Sequence, residues 1–170
     1  MNLKFLDKLI SNKKFLGFRI KNYLRKKVIK EQKPEENEIR GHLEKAEHNL
    51  QFVKDNLRIG YLDWCITGCY YAVYHSALAL ILKKGYSSKN HDATLCVLIK
   101  EYYGVGVDKK DIELINKFYL DYQDLLFYIH SKQKRQDSTY SSSYKFDKKE
   151  VENLRVKSIE FVNKVRELIK

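Results

Sequence analysis

The sequence predicts an all-α protein: an up-and-down four-helix bundle with an additional short helix. Three observations point there. Apolar residues recur at steps of three and four along most of the chain. One proline and seven glycines leave little to interrupt helices. The Val/Thr-rich alternating runs that mark strands are missing. With 170 residues, 44% of them hydrophobic, the chain can bury a core of its own and needs only one folded domain.

The first 33 residues stand apart by charge. They hold eleven of the 33 Lys/Arg, opposed only by Asp7 and Glu31, while the remainder is near neutral despite a total of +11. Leu6, Leu9, Leu16, Ile20, Tyr23 and Leu24 recur there at roughly helical spacing, with lysines on the other face. We divide the chain into a basic amphipathic N-terminal arm, 1–33, and a helical domain, 34–170. Such an arm suits a membrane surface, nucleic-acid phosphates, or docking on a partner or on its own domain. Lysine predominance and scarce serine argue against a mitochondrial presequence.

From Glu35 the helices follow in order. Pro34 suits a first turn, Glu35, Glu36 and Glu38 complement the positive end of a helix dipole, and Ile39, Leu43, Ala46, Leu50, Val53 and Leu57 form a stripe. This gives a helix over about 35–58, closed by Ile59 and Gly60. The next, about 61–84, is the richest segment: Tyr61, Trp64, Cys65, Gly68, Tyr71, Ala72, His75, Ala79 and Leu82 form one continuous face, and Ile66, Cys69, Tyr70, Val73, Ala77, Leu80 and Ile81 cover much of the rest. A helix apolar nearly all round belongs at the centre of its domain. Gly85 stands where a helix C-cap is expected, and a polar YSSKN loop leads to a short helix from about 91 to 103.

A GVGV run at 104–107 breaks that helix, and Asp108 caps the next, which carries Ile112, Ile115, Phe118, Tyr119, Tyr122, Leu125, Leu126 and Ile129 to about 134. GVGV lacks the Gly-Lys-Ser/Thr ending and the preceding strand of a phosphate loop. Residues 135–146, RQDSTYSSSYKF, have no apolar face; the last helix begins near Asp147 and turns Val151, Leu154, Ile159, Phe161, Val162, Val165 and Leu168 inward.

Other classes fall away on composition. No stretch approaches the roughly 20 uninterrupted apolar residues of a membrane span, so a soluble protein with no transmembrane segment is expected. Cys65, Cys69 and Cys96 form no CxxC pair, and no secretory signal precedes them. Reduced, buried thiols and a cytoplasmic location follow as expectations. Cys65 and Cys69 share a face, yet no second ligand pair stands at zinc spacing, so neither a metal site nor a cofactor is expected.

The order of these pieces resembles a known family. Trp64 early in the aromatic helix, then Tyr70-Tyr71-Ala72-x-Tyr74-His75-x-Ala77-x-Ala79-Leu80, then Gly85 and a His91 opening the next helix, is similar to the HEPN domain over about 35–168. An uncharacterised prokaryotic branch of that family carries an Arg-x-x-Ala-Asp-Tyr signature after its fourth helix. The matching run here is Arg135-Gln136-Asp137-Ser138-Thr139-Tyr140, with Thr139 in place of the aspartate. The resemblance implies a helical bundle that dimerises and is often encoded beside a minimal nucleotidyltransferase. It also implies one of two roles: a metal-independent ribonuclease of a toxin-antitoxin pair, or a non-catalytic partner binding nucleotide, RNA or the transferase.

In catalytic members four to six residues separate the arginine from a following histidine. Arginine supplies a permanent charge to phosphate, and histidine exchanges a proton near neutral pH. Here the histidines are 42, 48, 75, 91 and 130, none downstream of Arg135. Tyr140 occupies that distance, and a phenol of pKa about 10 is a poor base at pH 7. The sequence therefore leans against an enzyme and toward phosphate or nucleotide contact by Arg135 and Tyr140. Secondary candidates are His75, among tyrosines on the aromatic helix; His130, five residues before Arg135; Asp124, which with Asp121 either clusters with Arg135 or faces solvent; and Tyr144. The resemblance also implies that Tyr140 or Tyr144 could accept AMP from a transferase. The alternatives are an RNA-cleaving toxin and nucleic-acid binding through the basic arm.

Overall fold

A computed structural model describes residues 1–133 and 147–170, without the side chains of 124, 125 and 127–133. Within these residues the elements run α1 (Leu3–Ser11), α2 (Lys13–Arg25), β1 (Ile29–Glu31), α3 (Glu36–Ile59), α4 (Leu62–Lys83), β2 (Tyr86–Ser88), α5 (His91–Tyr102), α6 (Lys109–Gln133) and α7 (Lys148–Ile169). Four long helices, α3, α4, α6 and α7, form the bundle, and α5 is the short insertion. The class expected from periodicity is the class observed.

Helix α4 is the axis. It packs against α3, α5, α6 and α7, and Cys65, Cys69, Ala72, Val73, Ala77, Ala79, Leu80 and Ile81 are all fully buried. Gly68 explains how closely α3 approaches: a Cβ there would meet Val53 Cγ2 at 2.5 Å. Among the described residues α4 is also the one helix long and apolar enough to cross a bilayer, and 72% of its most apolar window lies inside the fold. That is how a central core helix reads. Trp64 and Tyr61 depart from the inward face expected of them, being 51% and 56% exposed. Both stand beside the α3–α4 corner, at the end of the helix.

Burial accounts for the three cysteines, all of them free. It pushes the Cys65 thiol up to about 11 and those of Cys69 and Cys96 up to about 12, so none is a thiolate at neutral pH.

The N-terminal residues fold as two helices broken at Asn12. Asn2 caps α1 and Asn12 caps α2, each Oδ1 accepting a backbone N–H at 2.9 Å. Leu6, Leu9, Leu16 and Ile20, four of the six residues of a stripe legible in the sequence, are buried in the core that α4, α5 and α6 share. Asn116 Nδ2 donates to the Met1 carbonyl at 2.8 Å, and Lys109 meets Asp7 at 2.6 Å.

A strand pair was not legible. The YSSKN segment, expected to be a loop, supplies β2, which pairs antiparallel with β1 in the register Ile29↔Ser88, Lys30↔Ser87, Glu31↔Tyr86. Three residues are too few to establish an alternation; buried Ile29 holds the ladder. Gly85 (φ +78) fixes where the ladder starts: its carbonyl accepts from Gln32 N–H at 2.9 Å, and a Cβ would strike the Gln32 carbonyl.

Candidate functional site

The helical repeat of α4 sets Tyr70, Tyr71, Tyr74 and His75 on adjoining rows, and neighbouring helices add one ring apiece or two: His42 from α3, His91 from α5, Tyr119 and Tyr122 from α6. Tyr70 is the hub. Its ring stacks on Tyr122 at 4.5 Å between centroids and on Tyr74 at 5.5 Å, and lies 6.3 Å from His91. His91 in turn lies flat on Tyr119 at 3.9 Å, with planes 8° apart. The Tyr71 and Tyr122 hydroxyls hydrogen-bond at 2.9 Å, and His42 Nδ1 meets His75 Nδ1 at 2.8 Å.

These contacts decide the protonation states. Two facing Nδ1 atoms form one hydrogen bond only if one is protonated there and the other is not, which excludes two imidazolium rings. Burial, then His42 and Lys45, bring His75 down to about 4. Burial and Lys45 lower His42 against the opposing pull of Glu38. His91, 5% exposed and with neither ring nitrogen hydrogen-bonded among the described residues, is brought down to about 3 by burial and the Met1 ammonium. Burial raises Tyr70 and Tyr74 above the usual phenol range, and burial together with its bond to Tyr71 raises Tyr122 to about 12. At neutral pH the cluster is uncharged.

Two open grooves flank this core. One, about 790 Å³, runs between α6 and α7, where Lys164 meets Asp111 at 2.6 Å and Asp108 at 3.7 Å and Lys117 meets Asp121 at 3.1 Å. The other, about 700 Å³, lies where β1, the β2–α5 turn, α3 and α4 meet, with His42 in its wall beside Lys27, Lys30 and Lys89.

Of the residues singled out in sequence, His75 is the one whose side chain the structure describes, and it sits in the ring cluster. The backbone puts Asp124 and His130 on α6, while Arg135, Tyr140 and Tyr144 lie outside the described residues. Asp121 pairs with Lys117 at 3.1 Å. The sequence reading missed His42, His91 and the three pocket lysines as neighbours. His42 had one available signal: it follows Ile39 by three residues and so borders the buried stripe of α3.

Comparison with known proteins agrees with this architecture. A family model described as "HEPN domain" matches residues 39–168. A UPF0332 protein of Archaeoglobus fulgidus is 27% identical over 81 residues, 48% of this chain and 65% of that protein. The match thus spans less than two thirds of that relative's length.

Proposed function

The chain belongs to the HEPN domain family, and from that premise we propose that it is a non-catalytic binding and regulatory protein. It acts as the homodimeric partner of a minimal nucleotidyltransferase and contacts nucleotide or nucleic-acid phosphate through Arg135 and Tyr140. Residues 34–170 form the family domain and 1–33 an accessory to it.

The observation that supports this reading is the state of the histidines. Cleaving RNA without a metal needs a group that takes and gives a proton near pH 7. No histidine follows Arg135, and those packed in the bundle are the wrong kind. With His75 at about 4, roughly one imidazole in a thousand carries a proton at pH 7. Its weak basicity also leaves little drive to remove one. Arginine and a phenol remain, and both serve binding: a fixed charge for phosphate and a hydrogen-bond donor.

Pure protein incubated with labelled RNA in chelator tests the absence of catalysis. Wild type and Arg135→Ala should leave RNA intact; cleavage that disappears with Arg135→Ala overturns the reading. Arg135→Ala and Tyr140→Phe should weaken nucleotide binding while the melting temperature holds. Co-expression with a partner transferase and ATP, read by intact mass, tests whether Tyr140 or Tyr144 accepts AMP.

A further inference from the structure

The N-terminal segment contributes more than charge: it builds one wall of the second groove. Antiparallel pairing of β1 with β2 sets Lys30 opposite Ser87, so both stand on one face of the ladder while Ile29 turns into the core. Lys30 and Ser87 both line the groove, joined by Lys27 from the α2–β1 turn and Lys89 from the β2–α5 turn. The opposite wall is His42 with Leu78 and Leu82 of α3 and α4. The single carboxylate there, Glu38, accepts a hydrogen bond from Gln32 Nε2 at 2.9 Å.

None of the three lysines has an ion-pair partner among the described residues, a condition shared by other surface lysines such as Lys14 and Lys110; what sets these three apart is that one groove gathers them against a single, already engaged carboxylate. Like charges converging on one concavity repel in the empty protein.

Lys27 adds a second, independent observation. It occupies φ +56, the left-handed position at the end of α2, and is the one residue other than glycine with positive φ among those described. Lys27 N–H bonds the Leu24 carbonyl and Val28 N–H the Tyr23 carbonyl, both at 2.9 Å, the paired closure that usually has glycine there. A lysine held in that conformation costs about 1 kcal/mol relative to glycine. Strain of this kind is a pointer to function when the side chain has somewhere to go. Here it lines the groove.

We propose that this groove is a binding site for an oligophosphate group, gripped by Lys27, Lys30 and Lys89 and backed by His42. A volume of about 700 Å³ accommodates a small molecule. Three lysines against one engaged carboxylate leave a net positive charge, which suits two or three linked phosphates. The phosphates arrive either free or carried by a nucleoside whose base rests on the Leu78 wall. None of Lys27, Lys30, Lys89 and His42 belongs to the Arg135–Tyr140 motif, so different substitutions test the two readings and they fail separately. Deleting 1–33 is not a clean test, because Leu6, Leu9, Leu16, Ile20 and Ile29 would leave the core with it.

Calorimetric titration of the full chain, at low and at physiological salt, uses inorganic tripolyphosphate and ATP without metal. Tripolyphosphate should bind, and binding should persist in Arg135→Ala, which removes the contact assigned to the other reading. Lys27→Gly and Lys89→Ala should each weaken it roughly tenfold, with the melting temperature no lower than wild type for Lys27→Gly. Lys14→Ala, on exposed α2 surface outside the groove, should leave affinity unchanged. ATP binding more tightly than tripolyphosphate assigns the apolar wall to a base; equal affinity assigns the site to phosphate alone. Absence of binding by both probes at low salt overturns the proposal. So does a loss with Lys14→Ala as large as with Lys27→Gly, since the affinity would then belong to the arm's diffuse charge.

Discussion

The ring cluster on α4 and the lysine groove beside β1 hold polar groups in opposite conditions. In the cluster every ring has a neighbour within stacking distance, the Tyr71 and Tyr122 hydroxyls bond one another, and His75 is held neutral by burial and by His42. Apart from His42, which also lines the groove, the members of the cluster are turned on one another. In the groove the cations face solvent, lack partners among the described residues, and include one held in a conformation lysine disfavours. Residue types that usually suggest chemistry, Tyr and His, serve as scaffold here. Ordinary lysines make the more promising site.

If the cluster is scaffold, removing its hub should cost stability and leave binding alone. Tyr70 is 6% exposed and touches Tyr71, Tyr74, Tyr119, Tyr122 and His91. Tyr70→Ala should cost about 3–5 kcal/mol, a melting temperature lower by about 6–20 °C in a chain of this size. Tripolyphosphate affinity, measured well below that midpoint, should match wild type. An unaltered melting temperature with lost affinity would reverse the assignment of the two regions.

Acid provides the next test. His91 has a folded pKa of about 3, below the unfolded value of 6.5, so the unfolded chain binds the proton first. The stability this group contributes is complete above pH 6.5 and is lost as pH falls from 6.5 toward 3. At pH 5 the loss from His91 alone is about 2 kcal/mol. Half-buried His75 acts in the same direction between 6.5 and about 4, with a smaller effect because solvent screens it. Asp108 and Glu152 are lowered by hydrogen bonds and titrate in a more acid window. Urea midpoints at pH 7 and pH 5 should therefore differ, and His91→Phe should remove most of the difference. An equal drop in His91→Phe would mean that the ring is not what the cluster keeps uncharged.

A smaller effect isolates the hydroxyl pair. Tyr71→Phe leaves the Tyr122 hydroxyl, half-buried, without its 2.9 Å partner and should cost about 1 kcal/mol. Tyr71→Phe with Tyr122→Phe should cost no more than the single change, because no polar group is left stranded. Strict additivity of the two, measured by denaturant unfolding, would show that the hydroxyls do not interact.

Much of the scaffold was legible, for a reason its elements share. The five main helices begin and end within about two residues of the expected limits because apolar periodicity spans many turns, and Gly60 and Gly85 mark two of the ends. The β1–β2 ladder was not, since three residues per strand carry no period. The groove was illegible for the same reason. Lys27 and Lys30 come near Lys89 only through that ladder, and His42 reaches His75 from 33 residues away. The Arg135–Tyr140 motif is the converse case: local in sequence, it could be read from spacing alone, and it lies outside the described residues.

The smallest expected effect separates the regions most sharply. Lys27→Gly relieves the left-handed strain at φ +56 but frees the unfolded chain, and these changes oppose each other. Their balance should be between zero and about 1 kcal/mol in favour of glycine, a melting temperature unchanged or higher by at most about 4 °C. No alanine substitution offers this, because alanine keeps the Cβ and hence the strain. A variant that folds at least as well as wild type yet binds oligophosphate more weakly places the lysine in the groove for the sake of a ligand. If Lys27→Gly instead melts several degrees lower, the side chain is bracing the α2–β1 turn. The groove would then be scaffold, like the ring cluster it borders.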